Sequence, residues 1–303
     1  MGIINFKNQL YYVTKKQLKI IGPIVELREF GKEFFIGDRP KVHKEKLFGD
    51  DEQNKKEENE YTPEEIQEMR YRRAKRSVFD YVNCNSFAWP DETGHVDPPI
   101  FITFTFREDI QDIKKANHEF TKFMQRFNFF VTGKKKSYLK YLVVIEFQKK
   151  TRDTIHYHAL YFNLPYIRGI KTKLENTWGQ GFVKVVATKR IKNLTRYMTK
   201  YMTKDLNDPR LHGKKSYFVS RGLKKPVLVY YDELIGEFLK YLPKDAIEFE
   251  TKDFPAGYME TMDFVRYNMN EFPKDLKNAI DFLQSTGYDG PGYSAPQQIN
   301  ITP

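Results

Sequence analysis

Four short stretches rich in β-branched and aromatic residues predict β-strands in the middle of the chain. They cover residues 101–106, 138–147, 155–162 and 181–187. The first of them, FITFTF, alternates with a period of two, as expected for a strand with two different faces. These stretches therefore predict a sheet.

Apolar residues that recur at helical spacing predict helices around these strands. Positions 110, 113, 120, 124 and 127 give residues 109–130 one apolar face, which indicates an amphipathic helix packed on a sheet. TPEE opens another helix, because Thr62 can cap it, Pro63 suits its first turn and Glu65 completes a capping box. Further helices are predicted near residues 171–177, 190–204 and 274–284.

This order of elements favours an α+β fold with flanking helices on a central, mainly antiparallel sheet. We expect the main domain at residues 61–245. An N-terminal extension at 1–60 precedes it and ends in a mixed-charge linker at 41–60, which has little apolar surface to bury. Residues 246–303 form a C-terminal extension whose turn-forming end is expected to be loose.

Composition narrows the choice of partners. Lys and Arg number 51 against 40 Asp and Glu, so the net charge of +11 favours a polyanionic partner. Aromatic residues reach 16%, and although most belong in the core, some can stack on unpaired bases. The single cysteine, Cys84, excludes a disulfide framework or multi-cysteine zinc site and suits a reducing compartment. With no signal-peptide pattern and no long apolar run, we expect a cytoplasmic protein without a membrane partner.

The segment IHYHALYF places two histidines on one face of a strand, because side chains alternate. A hairpin connection centred near Arg152 would place Glu146 opposite His156 and His158, whereas a shift of one residue would turn Glu146 away. Gln148 lies on the same face as a reserve ligand. Two imidazoles and a carboxylate suit Mg²⁺ or Mn²⁺ when a substrate supplies phosphate oxygens, with Zn²⁺ as an alternative. The competing interpretation is two half-buried histidines with ordinary hydrogen bonds.

The repeat YMTKYMTK places Tyr197 and Tyr201 one turn apart on a helix. Lys200 and Lys204 each follow a tyrosine by three residues, and Arg196 adjoins them. A phenol with a pKa near 10 is a poor nucleophile unless cations or a metal-polarised target assist it. The alternative is that the tyrosines are core residues beside snorkelling lysines.

Basic residues along the helix at 64–86 can hold a DNA backbone, or can form its solvated face. The DNA-binding candidates are Arg70, Arg72, Arg73, Lys75, Arg76 and Arg196. The lysine-rich GKKKS at 133–137 is a further candidate. Such contacts predict strongly salt-dependent binding.

Taken in order, FITFTF, VVIEFQ, HYH and YMTKYMTK resemble the HUH endonucleases that initiate rolling-circle replication of small phages and plasmids. The resemblance covers roughly residues 65–230 and is closest to the two-tyrosine replication proteins of microvirus and filamentous-phage type. SRGLKKP at 220–226 also looks like the segment after the tyrosine helix in these proteins. One departure is Ile155, where many relatives have proline before the first histidine.

The resemblance implies a five-stranded antiparallel, RRM-like sheet and cleavage of single-stranded origin DNA. It assigns His156, His158 and Glu146 as metal ligands and Tyr197 and Tyr201 as nucleophiles, with the lysines of the repeat as electrostatic partners. Cleavage would leave a 5′-phosphotyrosine and a 3′-hydroxyl that primes synthesis, and the second tyrosine would allow later strand transfer. The sequence has no P-loop motif, so a host helicase and polymerase are expected partners.

Three alternatives remain open. The same chemistry could serve a transposase or relaxase. A non-catalytic protein could bind single-stranded nucleic acid by stacking bases on aromatic side chains. A metal-dependent hydrolase could use water as its nucleophile and the tyrosines only for binding.

Overall fold

The computed structural model describes residues 3–6, 9–36, 61–148, 152–191, 193–203, 208–211 and 214–288. The predicted linker at 41–60, Lys204, and residues 289–303 of the C-terminal end expected to be loose, 285–303, lie outside these residues. Two compact units are present. One is Asn59–Lys225, here called the central unit, and the other combines Met1–Glu58 with Pro226–Pro303 and is called the terminal unit.

The strands are, in chain order, β1 (Ile3–Phe6), β2 (Gln9–Ile21), β3 (Ile24–Ile36), β4 (Ile100–Thr105), β5 (Tyr141–Phe147), β6 (Ile155–Tyr161), β7 (Val183–Ala187), β8 (Tyr217–Val219), β9 (Val227–Val229), β10 (Ile247–Pro255) and β11 (Thr261–Asn268). The α-helices are α1 (Pro63–Asn85), α2 (Ile113–Thr132), α3 (Ile170–Trp178), α4 (Leu194–Thr203), α5 (Asp232–Leu239) and α6 (Pro273–Ser285). None of the helices in the described ranges is both long and apolar enough to cross a bilayer.

The central unit contains a five-stranded antiparallel sheet in the order β7-β4-β6-β5-β8, which confirms the predicted α+β class. Alternate side chains of each strand enter two different cores. Val78 of α1 and Met198 of α4 pack with Leu160 of β6 on one face. Phe120 of α2 and Trp178 of α3 belong to the core on the other face. Both faces are therefore covered by helices.

Local signals explain where the helices begin and end. The backbone N–H of Glu65 donates to Thr62 Oγ1 at 3.2 Å, and the N–H of Thr62 donates to Glu65 Oε2 at 2.8 Å. The predicted capping box is thus confirmed. Asp112 caps α2, which ends at Gly133 with a positive φ of 65°, a conformation that favours glycine.

The terminal unit contains a six-stranded sheet in the order β1-β2-β3-β11-β10, and β9 also pairs with β2. The hairpin of β2 and β3 supplies apolar residues that form a core with α5 and α6. Glu26 is buried and its carboxylate binds two guanidinium groups, Arg28 at 2.6 Å and Arg266 at 3.0 Å. This arrangement compensates the buried charge.

The compact units differ from the predicted domains. Residues 226–245 were assigned to the main domain, but β9 pairs with β2 through Leu18 and Val229, so this segment belongs to the terminal unit. The predicted extensions also contain regular structure, because β3 of the N-terminal segment pairs with β11 of the C-terminal segment. The predicted helix at 274–284 corresponds to α6.

Candidate active site

The hairpin of β5 and β6 positions the histidine face. Its register pairs Glu146 with His156 and Val144 with His158, which is the register expected from the sequence. Paired residues of an antiparallel ladder share a face, so the carboxylate and both imidazoles belong to the face that α1 and α4 cover.

His158 lies at the centre of this face and is only 4% exposed. Its Nε2 is 2.5 Å from Oε2 of Glu146, itself 5% exposed, and its Nδ1 is 3.2 Å from Oγ1 of Thr103. Two contacts on opposite sides of one ring fix its orientation. His156 is half-buried, and its ring centroid lies 6.5 Å from that of His158.

The chemistry of these donors fits a divalent cation, which takes imidazole nitrogens and carboxylate oxygens. Thr103 also contacts the second nitrogen of His158, as an outer partner does for a metal-bound histidine. Within the described ranges, however, no three His, Cys, Asp or Glu side chains are arranged to hold one ion. Glu146 and His158 instead contact each other directly, so a cation that took both would replace their hydrogen bond. The assignment of Glu146, His156 and His158 as metal ligands, with Gln148 as reserve, stays a prediction.

Helix α4 brings the tyrosines to this histidine. The ring of Tyr201 stacks on His158 with centroids 3.6 Å apart and planes 16° apart. Tyr197 meets Phe101 edge-on at 4.8 Å and Tyr201 at 5.8 Å. The structure therefore places Tyr201 beside the imidazole that contacts Glu146, and Tyr197 beside Tyr201.

The electrostatics of the phenols involve both a cation and an anion. Lys200 Nζ lies 3.9 Å from the ring centroid of Tyr197 and 4.8 Å from that of Tyr201. Burial raises the pKa of the Tyr201 hydroxyl well above its usual value, and a hydrogen bond with Tyr197 and the negative charge of Glu146 raise it further. Tyr201 is therefore protonated at neutral pH.

The predicted DNA-binding residues of α1 divide into two groups. Arg72 pairs with Glu68 at 2.8 Å and Arg76 pairs with Asp80 at 3.4 Å, so part of their charge is compensated within the helix. Lys75 Nζ lies 5.9 Å from the ring centroid of Tyr71. The other two, Arg70 and Arg73, line a cavity of about 360 Å³.

Two further candidates lie elsewhere in the central unit. Arg196 is exposed on α4, the helix that carries the tyrosines. The lysines of GKKKS are exposed directly after α2, which packs on the other face of the sheet.

Sequence reasoning missed two site residues of β4. Thr103 pairs with His158 in the sheet, and Phe101 stacks parallel to the same imidazole with centroids 5.8 Å apart. Their signal was present, because Phe101 and Thr103 share one face of the alternating FITFTF strand. The order β4-β6-β5 was needed to know that this face adjoins the histidines.

The sequence from just before β4 to the end of α4 contains the histidines, the glutamate and the tyrosines of the candidate site, together with Phe101 and Thr103. Residues 99–206 match the family model of the replication-associated protein ORF2/G2P. The matched segment includes Glu146, His156, His158, Tyr197 and Tyr201, so its similarity to replication-associated proteins covers the candidate site. No curated protein and no solved structure gives a significant match to the chain.

Proposed function

We propose that this chain initiates rolling-circle DNA replication as a two-tyrosine HUH endonuclease. It would nick single-stranded origin DNA and remain attached through a phosphotyrosine. The observation that carries the proposal is the stack of Tyr201 on His158, whose Nε2 contacts Glu146, within the segment that matches replication-associated proteins.

The reaction exchanges one phosphoester bond for another. The phenol oxygen of Tyr197 or Tyr201 attacks phosphorus, the bond to the 3′ oxygen breaks, and a 5′-phosphotyrosine forms. The phenol gives up its proton, and the departing 3′ oxygen takes one up as a hydroxyl. Lys200 lies over both rings and favours negative charge on the attacking oxygen.

A bound Mg²⁺ or Mn²⁺ would supply positive charge for the phosphate oxygens. Glu146, His158 and His156 are the residues that would hold it. His158 is held in place by Thr103 and stacks on Tyr201, so this chain keeps a ligand and a nucleophile in contact. Such preorganisation reduces the entropy cost of bringing the reacting groups together.

Two phenols support a second transfer. The rings of Tyr197 and Tyr201 meet edge-on at 5.8 Å, and both belong to the same helix. While one tyrosine carries the DNA end, the other can attack a new junction after one round of synthesis, and the released 3′-hydroxyl can then rejoin the strand. A host helicase and polymerase would supply unwinding and synthesis, and the reaction would occur in the cytoplasm of the host cell.

The test looks for a covalent product. Protein, Mn²⁺ and end-labelled single-stranded oligonucleotides from the replicon are incubated and separated on a denaturing gel. We expect a slowed protein band that disappears in EDTA and in the double variant Tyr197→Phe/Tyr201→Phe. Tyr166→Phe changes an 85% exposed tyrosine of the same unit and is the matched control.

Other outcomes identify the competing functions. A band that persists in the double variant refutes the nucleophile assignment. Cut oligonucleotides without an attached protein would indicate a hydrolase that uses water. Binding that is unchanged in EDTA, with neither cutting nor a band, would indicate a nucleic-acid-binding protein. A product formed only on transposon-end or transfer-origin DNA would indicate a transposase or relaxase.

A further inference from the structure

A cationic groove lies in the central unit, beside the tyrosine helix. Its cavity of about 360 Å³ is lined by Arg70 and Arg73 from α1 and by Lys214 and Lys215 from the segment before β8. None of the described residues that line it is an aspartate or a glutamate. Within the described part of the chain these four side chains form no ion pair, in contrast to Arg72 on the same helix. Their mutual repulsion favours an anionic ligand.

The apolar residues that line the cationic groove, here called its floor, differ chemically from its four cationic residues, here called its rim. Tyr71, Ala74, Met202 and Tyr217 line the groove with aromatic and aliphatic surface. Both tyrosines are half-buried and line the cavity. Cations around an aromatic floor match a nucleotide, which combines an anionic phosphate with a base that stacks on aromatic rings. The volume is at the lower end of the range for small-ligand pockets.

The sheet connects the groove to the candidate active site. Tyr217 of β8 pairs with Val144 of β5, and Val144 pairs with His158 of β6. Tyr217 and His158 therefore share one face of the sheet and are separated by two strand spacings, about 10 Å. Met202, which lines the groove, directly follows Tyr201 on α4. A single DNA strand can thus reach both places.

We propose that the cationic groove binds one unstacked nucleotide of the single-stranded DNA that flanks the reacting phosphodiester. The base lies against the floor formed with Tyr71 and Tyr217, and the adjoining phosphates contact the four cations of the rim. This inference rests on the proposed function for the identity of the strand. Binding to the groove itself needs neither metal nor reaction.

The first experiment measures binding as a function of salt. Anisotropy of a fluorescent single-stranded oligonucleotide is recorded with the full chain in EDTA, where metal-dependent cleavage is absent. The slope of log K against log salt is negative, and each lost phosphate contact reduces its magnitude by about 0.7. Arg70→Ala/Arg73→Ala is therefore expected to reduce the magnitude by about 1.4. Arg72→Ala/Arg76→Ala removes the same charge from the same helix at two residues that do not line the groove, and is expected to reduce the slope by less than half as much. Equal losses in both variants would overturn the proposal.

The second experiment asks whether a base enters the groove. Oligonucleotides with one abasic site at successive positions are compared with the intact strand. One position is expected to lose about tenfold or more in affinity, as for the loss of one stacked base. The penalty should shrink in Arg70→Ala/Arg73→Ala and persist in Arg72→Ala/Arg76→Ala. A uniform penalty, or one that is the same in all three proteins, contradicts a base-binding groove.

A third experiment distinguishes a DNA strand from a free nucleotide as the ligand of the groove. Unlabelled deoxynucleoside monophosphates and ATP are added as competitors. Oligonucleotide is expected to compete much better than either, whereas equal competition would assign the groove to free nucleotides and overturn the proposal. These measurements do not depend on the covalent band, so failure of the nicking chemistry and failure of the groove are distinguishable.

Discussion

Addition of Mn²⁺ is expected to stabilise the central unit, because a cation bound by Glu146 and His158 binds the folded chain better than the unfolded one. The two groups are almost fully buried, and their contact at 2.5 Å must be exchanged for metal bonds. The cost of that exchange, about 1.5 to 3 kcal/mol for a hydrogen bond to a charged group, is already contained in the apparent Kd.

The size of the effect follows from mass action. At a Mn²⁺ concentration of about 100 times the apparent Kd, the gain is about 2.7 kcal/mol. For a unit of this size, 1 kcal/mol raises Tm by about 2 to 4 °C, so we expect a rise of roughly 5 to 11 °C. EDTA should reverse it fully.

Tryptophan fluorescence is a selective assay. The chain has two tryptophans, Trp89 and Trp178, and both belong to the central unit. Trp178 is fully buried, so its emission reports unfolding of this unit. Glu146→Gln keeps the size of the side chain but removes its charge, and most of the Mn²⁺ effect should vanish. Glu108→Gln changes an exposed glutamate of the same unit and should respond like the wild type. An unchanged Tm of the wild type in millimolar Mn²⁺, or an equal rise in Glu146→Gln, would refute the metal assignment.

Three further predictions concern stability. Tyr201→Phe keeps the stack on His158 and should lower the free energy of unfolding by about 1 kcal/mol or less, whereas Tyr201→Ala should lower it by about 3 kcal/mol. Tryptophan fluorescence in urea measures both changes, and equal losses would mean that the hydroxyl, and not the ring, supports the fold. Gly181→Ala would place a Cβ against a backbone oxygen of β4 and should lower the free energy of unfolding by about 1 to 3 kcal/mol. Gly236→Ala in α5 would place its Cβ in open space and should be neutral or stabilising. Similar effects of the two changes would argue against the close contact at Gly181. Burial raises the pKa of Tyr12 from 10.0 to about 12, so between these pH values the folded chain holds a proton that the unfolded chain loses. This stabilisation is complete below pH 10 and is lost as pH rises to about 12. Unfolding followed by circular dichroism should show the difference in free energy of unfolding between wild type and Tyr12→Phe narrowing over that interval, and a constant difference would contradict it.

The central unit was predictable because its signals are local. The capping box at Thr62 needs four residues, and the pairing of Glu146 with His156 needs only a hairpin of known length. Side-chain detail was harder. The register places Glu146 opposite His156, yet its carboxylate contacts the diagonal neighbour His158, a choice that rotamers and the covering helix decide.

The sheet of the terminal unit was missed, although its helix α6 was predicted, because the pairing of its strands is not a local signal. β10 is an edge strand whose side chains are exposed along nearly its whole length, so the alternation of apolar and polar residues at 247–250 does not mark a buried face. β9 has three residues, too few to display a period. The second partner of β3, besides β2, is β11, far along the chain, and no single-sequence pattern indicates that such distant segments pair.

That pairing also sets an order of events during synthesis on the ribosome. Phe30 of β3 pairs with Met262 of β11, and about 230 residues separate them in the chain. At 5 to 20 residues per second, β3 must wait roughly 10 to 50 s for its partner. The inserted Asn59–Lys225 segment emerges complete before then, so the part that carries the tyrosines can fold while the edge of β3 is still unprotected and open to incorrect pairing with other nascent chains.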